Sequence, residues 1–278
     1  MNIFICGLGL IGGSFAKAIR ERTVNRIYGF DMDAKVVEAA KADGTIHVAA
    51  TEKDLAECDL VIVALYPTAT VDFVKNNLSR FKENAILLDT CGIKTEVCEA
   101  LGALVKDTTV RFVGGHPMAG IERSGFAHAF GSLFAGASMI LCTEFCKDSA
   151  AVQTVSTLCS DIGFGRITLS TYRHHDEVIA FTSQLAHVVS SAYMHGTLAT
   201  EHRGFSAGSF KDMTRVARLN ADMWTELFFE NAENLSAVTG ELIENLQKYK
   251  TALDTGDRAA MRALLSAGNE RKIESENI

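Results

Sequence analysis

The stretch FICGLGLIGGSFAKAI, residues 4–19, constrains this chain more than any other. An apolar run leads into Gly7, Gly9 and Gly12 at G-x-G-x-x-G spacing, and a helical pattern follows at once. In that setting the first glycine permits a tight turn, the second lets the backbone approach a pyrophosphate, and the third allows close packing of helix on strand. The unpaired amides of the helix start, with Leu8, Leu10 and Ile11 completing the turn, then face the phosphate charge. Asp31 ends the next apolar run, in RIYGFDMD. A carboxylate there accepts hydrogen bonds from the adenosine ribose and repels a 2′-phosphate, and no arginine follows directly to reverse that choice. The expected cofactor is NAD, with NADP the less favoured option; a plain surface aspartate on a strand–helix turn is the alternative reading of Asp31.

The rest of the first 170 residues repeats the alternation. Strands are expected at 2–6, 26–31, 60–64, 85–89, 110–114, 138–142 and 165–169, with helices at 11–21, 34–42, 68–79 and 95–104 between them. Strands that are apolar throughout, separated by amphipathic helices, imply an α/β fold: a doubly wound, mostly parallel sheet covered on both faces. Beyond residue 170 the pattern is helical only. Residues 171–202 read as one long buried helix, a glycine-bearing loop spans 203–209, and helical patterns run almost to the end. Two domains are therefore expected, a nucleotide-binding domain at 1–170 and an all-helical domain at 171–278.

Composition excludes several partners. The net charge of −7 argues against a general nucleic-acid binder, which needs excess cations to neutralise phosphates. No run reaches about 18 apolar residues, so no membrane span is expected, and the apolar start lacks the basic stretch of a signal peptide. Seven cysteines without a CxxC pair suit buried thiols in the reducing cytoplasm.

Three further strand ends should face the crevice at the carboxyl edge of the sheet, where open parallel sheets bind ligands. VALYPT places Pro67 at a helix start, and LLDTCGIKTEV turns through Gly92 toward Lys94. For Pro67 and Gly92, simple turn chemistry is the competing reading. VRFVGGHPMAGIE delivers His116 on what reads as a stiff, exposed turn: Gly114 and Gly115 allow unusual backbone angles and Pro117 holds His116 extended. An imidazole beside a nicotinamide suits proton removal from an alcohol during hydride transfer; for a lone histidine in a glycine-rich loop, a loop filler is the alternative reading.

Taken together, Gly7–Ser14, Asp31, GGHPMAG, HDEVIAFTSQLAH and GSFKDMTRVA resemble, in order and over nearly the whole chain, the prephenate/arogenate dehydrogenase family of tyrosine biosynthesis. The resemblance implies a Rossmann-type domain followed by a helical dimerisation domain through which two subunits intertwine. It implies oxidation of a cyclohexadienol hydroxyl with loss of the ring carboxylate, prephenate giving 4-hydroxyphenylpyruvate, with arogenate as the alternative substrate. The family's catalytic histidine falls on His116, its substrate-binding arginine on Arg215, a second active-site histidine on His187, the acidic residue after the histidine loop on Glu122, and a pocket tryptophan on Trp224. The expectation is that NAD and substrate meet between the domains. Many members carry a serine where this chain has Gly92, which leaves Thr90 or a water as its stand-in; the frequent SHLPH appears as SQLAH.

The residues alone add support. At about 100° per residue, Asp176, Ser183, His187 and Met194 share one face of a straight helix, and a guanidinium such as that of Arg215 forks onto carboxylates in register. A satisfied core histidine and a surface ion pair with Asp212 are the alternatives for His187 and Arg215. RHHD, residues 173–176, resembles a ligand cluster, but neighbouring helical residues point apart and no metal is expected. A hydroxyacid dehydrogenase of the 6-phosphogluconate type and a non-catalytic NAD-sensing module are the rival functions.

Overall fold

The computed structural model describes residues 1–121 and 123–277. Its strands are β1 (Asn2–Cys6), β2 (Arg26–Phe30), β3 (Val48–Ala49), β4 (Leu60–Val63), β5 (Ile86–Asp89), β6 (Arg111–Pro117), β7 (Ser138–Cys142) and β8 (Arg166–Ser170). Among the described residues these form one sheet in the order β3-β2-β1-β4-β5-β6-β7-β8, parallel except where β6 meets β7. Helices α1 (Leu10–Arg22), α2 (Ala34–Ala42), α3 (Pro67–Asn77), α4 (Thr95–Val105) and α5 (Ser149–Asp161) alternate with the strands. The architecture is the Rossmann-type, doubly wound sheet expected from the apolar strands. Successive strand residues bury on opposite faces: Ile3, Ile5, Leu60 and Ile62 join one core, and Phe4, Cys6, Val61 and Val63 the other.

The chain divides into two compact units, Met1–Ile179 and Ala180–Ile278. The first takes in α6 (Tyr172–Ile179), and the second holds α7 (Leu185–Met194), α8 (Gly208–Thr214), α9 (Ala221–Phe229), α10 (Ala232–Thr255) and α11 (Arg258–Glu276). Between α6 and α7 the helix changes to a π-turn at Ala180–Gln184. A wheel drawn at about 100° per residue cannot be carried across that turn. The one-face grouping of Asp176 with His187 therefore fails as an argument. The π-turn is anchored within the second unit, where the Gln184 amide donates to the Leu227 carbonyl at 2.7 Å and Asn231 donates to Gln184 Oε1 at 2.8 Å.

Two expectations at the sheet edge were incomplete. The short edge strand β3 carries no apolar run long enough to announce it. More consequentially, β6 does not stop at Gly114: the ladder with β5 ends at Val113, and β7 then pairs antiparallel with Gly114 through Pro117. His116 thus stands in a strand, half-buried, and not on an exposed turn. Neither Gly114 nor Gly115 has positive φ. They are needed for close approach: a Cβ on Gly114 would lie 2.8 Å from Cys98 Sγ, and one on Gly115 would lie 2.6 Å from the Asp89 carbonyl oxygen. Pro117 fits because backbone groups alternate sides along a strand. Met118 donates toward β7, to the Ser138 carbonyl at 2.8 Å, so the missing amide of Pro117 falls on the side where β5 pairing has ended.

At the β1–α1 turn the three glycines differ in what surrounds them. Gly7 has φ +85° and abuts the Ala64 carbonyl, and a Cβ on Gly12 would sit 1.8 Å from the Gly7 carbonyl oxygen, whereas one on Gly9 would meet nothing within 4 Å. Gly12→Ala should therefore destabilise the fold by about 3 kcal/mol or more, because only backbone could move aside. Gly9→Ala should stay within about 0.5 kcal/mol of the parent. Thermal and urea unfolding of the two variants measures the contrast.

Candidate active site

The strand order reverses between β1 and β4, and the crevice at such a switch point is where these sheets take ligands. Gly9 caps α1 without a side chain, and no acidic residue occupies that helix's first turn, so its leading amides and positive dipole end suit a pyrophosphate. Leu8 is buried beneath the turn, while Leu10 and Ile11 are half-buried. Asp31 braces the same turn: one carboxylate oxygen accepts from Leu8 N at 2.8 Å and the other from Asp33 N at 2.9 Å. Pro67 is the first residue of α3, where its missing amide removes nothing, and it is buried. These residues fit a dinucleotide.

Further along the edge, a buried ion pair supports β6. Lys94 and Asp89 have fully buried side chains and are bonded Nζ to Oδ2. Lys94 Nζ also donates to the Gly115 carbonyl at 2.7 Å, while Gly115 N donates to Asp89 Oδ1 at 3.1 Å. The two side chains thus replace β5 as the hydrogen-bonding edge for the residue before His116. Burial opposes the ammonium charge, but the Asp89 carboxylate, with the thiols of Cys98 and Cys91, raises the Lys94 pKa.

His116 itself belongs to a chain of three side chains. Its Nδ1 lies 2.8 Å from His175 Nε2, and His175 Nδ1 lies 2.7 Å from Asp176 Oδ1. His175 and Asp176 are fully buried on α6. Asp176 is fixed in turn, accepting from Lys94 N at 2.8 Å, Thr95 N at 2.7 Å and Thr95 Oγ1 at 2.5 Å. It therefore caps the start of α4 from another helix, a favourable place for a negative charge. Burial works against its ionisation, yet the bonds from His175, Thr95 and Lys94 N hold its pKa below the ordinary carboxylate value. Burial, then His175 and Lys94, hold the His116 pKa well below that of a free imidazole. His116 is a neutral ring beside the nucleotide crevice. RHHD is thus half structural: adjacent residues of a helix meet here because Nδ1 of His175 turns back toward its neighbour. Neither His175 nor Asp176 was singled out as a partner of His116 from sequence. The signal available was the HD pair opening the long helix.

A Cβ on Gly92 would lie 3.7 Å from His116 Nε2. The Thr90 hydroxyl donates to the Val63 carbonyl at 3.3 Å. In the second unit, His187 and Trp224 come together with ring centroids 3.9 Å apart, and His187 Nδ1 donates to the Ser183 carbonyl at 2.8 Å. Arg215 is exposed at the end of α8. Glu122 lies outside the described residues. Among the described residues, no group of three or more His, Cys, Asp or Glu side chains is arranged to hold a metal.

Comparison with known proteins gives this geometry a family. The model for the prephenate dehydrogenase nucleotide-binding domain matches residues 15–168, and that for the prephenate dehydrogenase dimerization domain matches residues 171–267. The chain belongs to the prephenate dehydrogenase family. A cyclohexadienyl dehydrogenase of Zymomonas mobilis is 30% identical over 92% of this chain and 89% of its own length. A prephenate dehydrogenase of Bacillus subtilis is 30% identical over 92% of this chain and 71% of its own. The crystal structure of prephenate dehydrogenase from A. aeolicus with hydroxyphenyl propionate and NAD+ superposes with a TM-score of 0.85, at 26% identity, over 99% of this chain and 98% of that one. Membership of this family sets aside the 6-phosphogluconate-type alternative. The glycine turn lies ahead of the matched segments, so its reading stands on its own geometry.

Two outcomes follow for a member of this family built on such a site. Lys94→Met leaves the Asp89 carboxylate buried without its cation and should lower stability by about 3–5 kcal/mol in urea denaturation. Because the native His116 pKa is depressed, the unfolded chain takes up that proton first. The contribution of neutral His116 is complete above about pH 6.5 and is lost as pH falls from there through the native value. Asp176, also depressed, adds a loss only below the ordinary carboxylate value of 3.8. His116→Asn should flatten the decline of the urea midpoint as pH falls below about 6.5.

Proposed function

We propose that this enzyme oxidatively decarboxylates prephenate to 4-hydroxyphenylpyruvate with NAD, in tyrosine biosynthesis. The observation that carries the reading is the neutral imidazole of His116, held through Nδ1 at the edge of a nucleotide-binding sheet. NAD, when bound, accepts a hydride from the substrate's hydroxyl-bearing carbon. His116 Nε2 takes the hydroxyl proton as that carbon becomes a ketone. The ketone, conjugated through the ring, draws in the electrons released as carbon dioxide leaves, and aromatisation makes the reverse reaction difficult.

Gly7, Gly9 and Gly12, with the amides of Leu10 and Ile11, would hold the pyrophosphate, and Asp31 the adenosine ribose. The Asp31 carboxylate, its orientation fixed by Leu8 N and Asp33 N, favours NAD over NADP by repelling a 2′-phosphate. Pro67 and Gly92 border the cofactor site. Arg215 would fork onto a substrate carboxylate, with His187, Trp224 and Glu122 as further substrate contacts. The close, tilted packing of His187 against Trp224 supports a shared wall for a ring-shaped ligand.

We assign a homodimer through the helical unit and a cytoplasmic location. Burial in that unit is sparse: Ala180, Leu185, Leu235 and Ala252 are its buried apolar residues among those described, while Ile243, Leu246, Leu253 and Leu265 stay exposed. Such a unit gains its core from a second copy. The described cysteines are free thiols, most of them buried, as suits a reducing compartment. No helix among the described residues is long and apolar enough to cross a membrane.

A matrix of prephenate and arogenate against NAD and NADP, followed by nicotinamide absorbance and product analysis, tests the proposal. Prephenate with NAD should give the largest kcat/KM. His116→Asn should lower kcat by about 10²–10⁴-fold, and Arg215→Ala should raise KM more than it lowers kcat. Preference for arogenate would move the assignment to the amino analogue. Tight NAD binding without reduction by either substrate would favour the sensing module.

A further inference from the structure

The base reading uses one nitrogen of His116 and leaves unexplained why its other nitrogen is bonded to a buried histidine–aspartate pair. We propose that His175 and Asp176 are positioning residues: they fix the tautomer of His116 so that its Nε2 carries no hydrogen, and they store the hydroxyl proton between oxidation and aromatisation. This rests on His116 being the base of the proposed reaction.

The direction of the chain follows from Asp176. An ionised carboxylate only accepts hydrogen bonds, so the hydrogen between Asp176 Oδ1 and His175 sits on His175 Nδ1. A neutral His175 then has its lone pair at Nε2, and the hydrogen of the next bond must come from His116 Nδ1. His116 is left with a bare Nε2, the atom that lies beside Gly92. Were His175 cationic, its Nε2–H would donate to His116 Nδ1. The remaining hydrogen of neutral His116 would then occupy Nε2, and the ring could accept nothing from a hydroxyl. The starting state of the reaction therefore requires a neutral His175, and Asp176 holds it in the right tautomer. Asp176 cannot swing away to release that choice, because its oxygens also accept from two backbone amides and a hydroxyl at the start of α4.

The same chain gives the proton somewhere to wait. When the substrate O–H breaks, an N–H forms at His116 Nε2. Its Nδ1–H can then break as an N–H forms at His175 Nε2, with no electrons transferred to or from either ring. The positive charge moves from a ring beside Lys94 to one 2.7 Å from a carboxylate. Loss of carbon dioxide leaves a phenolate, and reversal of the two transfers returns the proton to its oxygen. Hydrogen and charge balance without a further acid.

The test combines a spectrum with kinetics. Long-range nitrogen–proton spectra of the free, histidine-labelled enzyme above neutral pH should show His116 protonated at Nδ1 and bare at Nε2. His175→Phe should lower kcat with prephenate about 10²-fold, with KM and calorimetric NAD affinity within twofold, and its spectrum should shift His116 toward the Nε2–H form. His175→Gln, whose amide oxygen can accept from Nδ1 but cannot take the proton, should give an intermediate kcat. Hydrogen at Nε2 in the wild-type spectrum, or wild-type kcat in His175→Phe, overturns the assignment. If wild-type enzyme oxidises neither prephenate nor arogenate, the functional reading fails on its own, and the spectrum still decides the tautomer claim.

Discussion

A buried ammonium governs the edge of this sheet that carries His116. Lys94 Nζ joins the carboxylate of Asp89, at the end of β5, to the carbonyl of Gly115 in β6, at the point where the ladder between those strands has run out. Without the pair, both backbone groups of Gly115 would be buried and unmatched, each costing about 1–3 kcal/mol. With it, β6 continues past its neighbour and carries His116 into a stretch where, among the described residues, β7 is its only strand partner. A buried ion pair is weak evidence of stability in general. Here its use is geometric, since it sets where a strand can go when no strand remains beside it.

The same economy holds one step outward. Asp176 caps α4 and orients His175, and Lys94, the residue preceding α4, gives its amide to Asp176 while its ammonium holds Gly115. Helix start, strand extension and imidazole orientation are thus one connected set of bonds. Charge is distributed across it with purpose: the cation lies on the side that keeps His116 neutral, and the anion lies behind His175.

Legibility from sequence followed the range of the interactions. The α/β character, the parallel sheet and the glycine turn are written in patterns spanning a few residues, and they matched the structure because apolar alternation and glycine spacing act locally. The reach of β6 was not legible. It depends on Asp89 and Lys94, far from Gly115 in sequence, and GGHPMAG reads as a turn to any argument that expects glycine to mean unusual angles. In fact Gly114 and Gly115 are extended residues crowded by Cys98 and Asp89. The π-turn at Ala180–Gln184 was equally hidden, because a register change inside a helix leaves the apolar pattern nearly intact. HD at 175–176 was visible but misjudged, since helical periodicity describes where side chains leave the backbone and not where their ends return.

Gly92 shows why the partner of His116 matters more in this chain than the family resemblance alone suggests. A serine at that position would place a hydroxyl close to Nε2, because even its Cβ would come within 3.7 Å. Such a hydroxyl could orient the ring from the substrate side, but it would also compete with the substrate for the lone pair. Glycine removes both effects. In the proposed reaction the two nitrogens of His116 are then cleanly divided, Nδ1 for orientation and Nε2 for chemistry, and the orienting task falls to His175. An imidazole rotates freely about its χ2 bond unless an edge is tied. In this chain the tie is buried, runs to a carboxylate that already caps a helix, and so cannot be loosened without unsettling the fold that presents the ring.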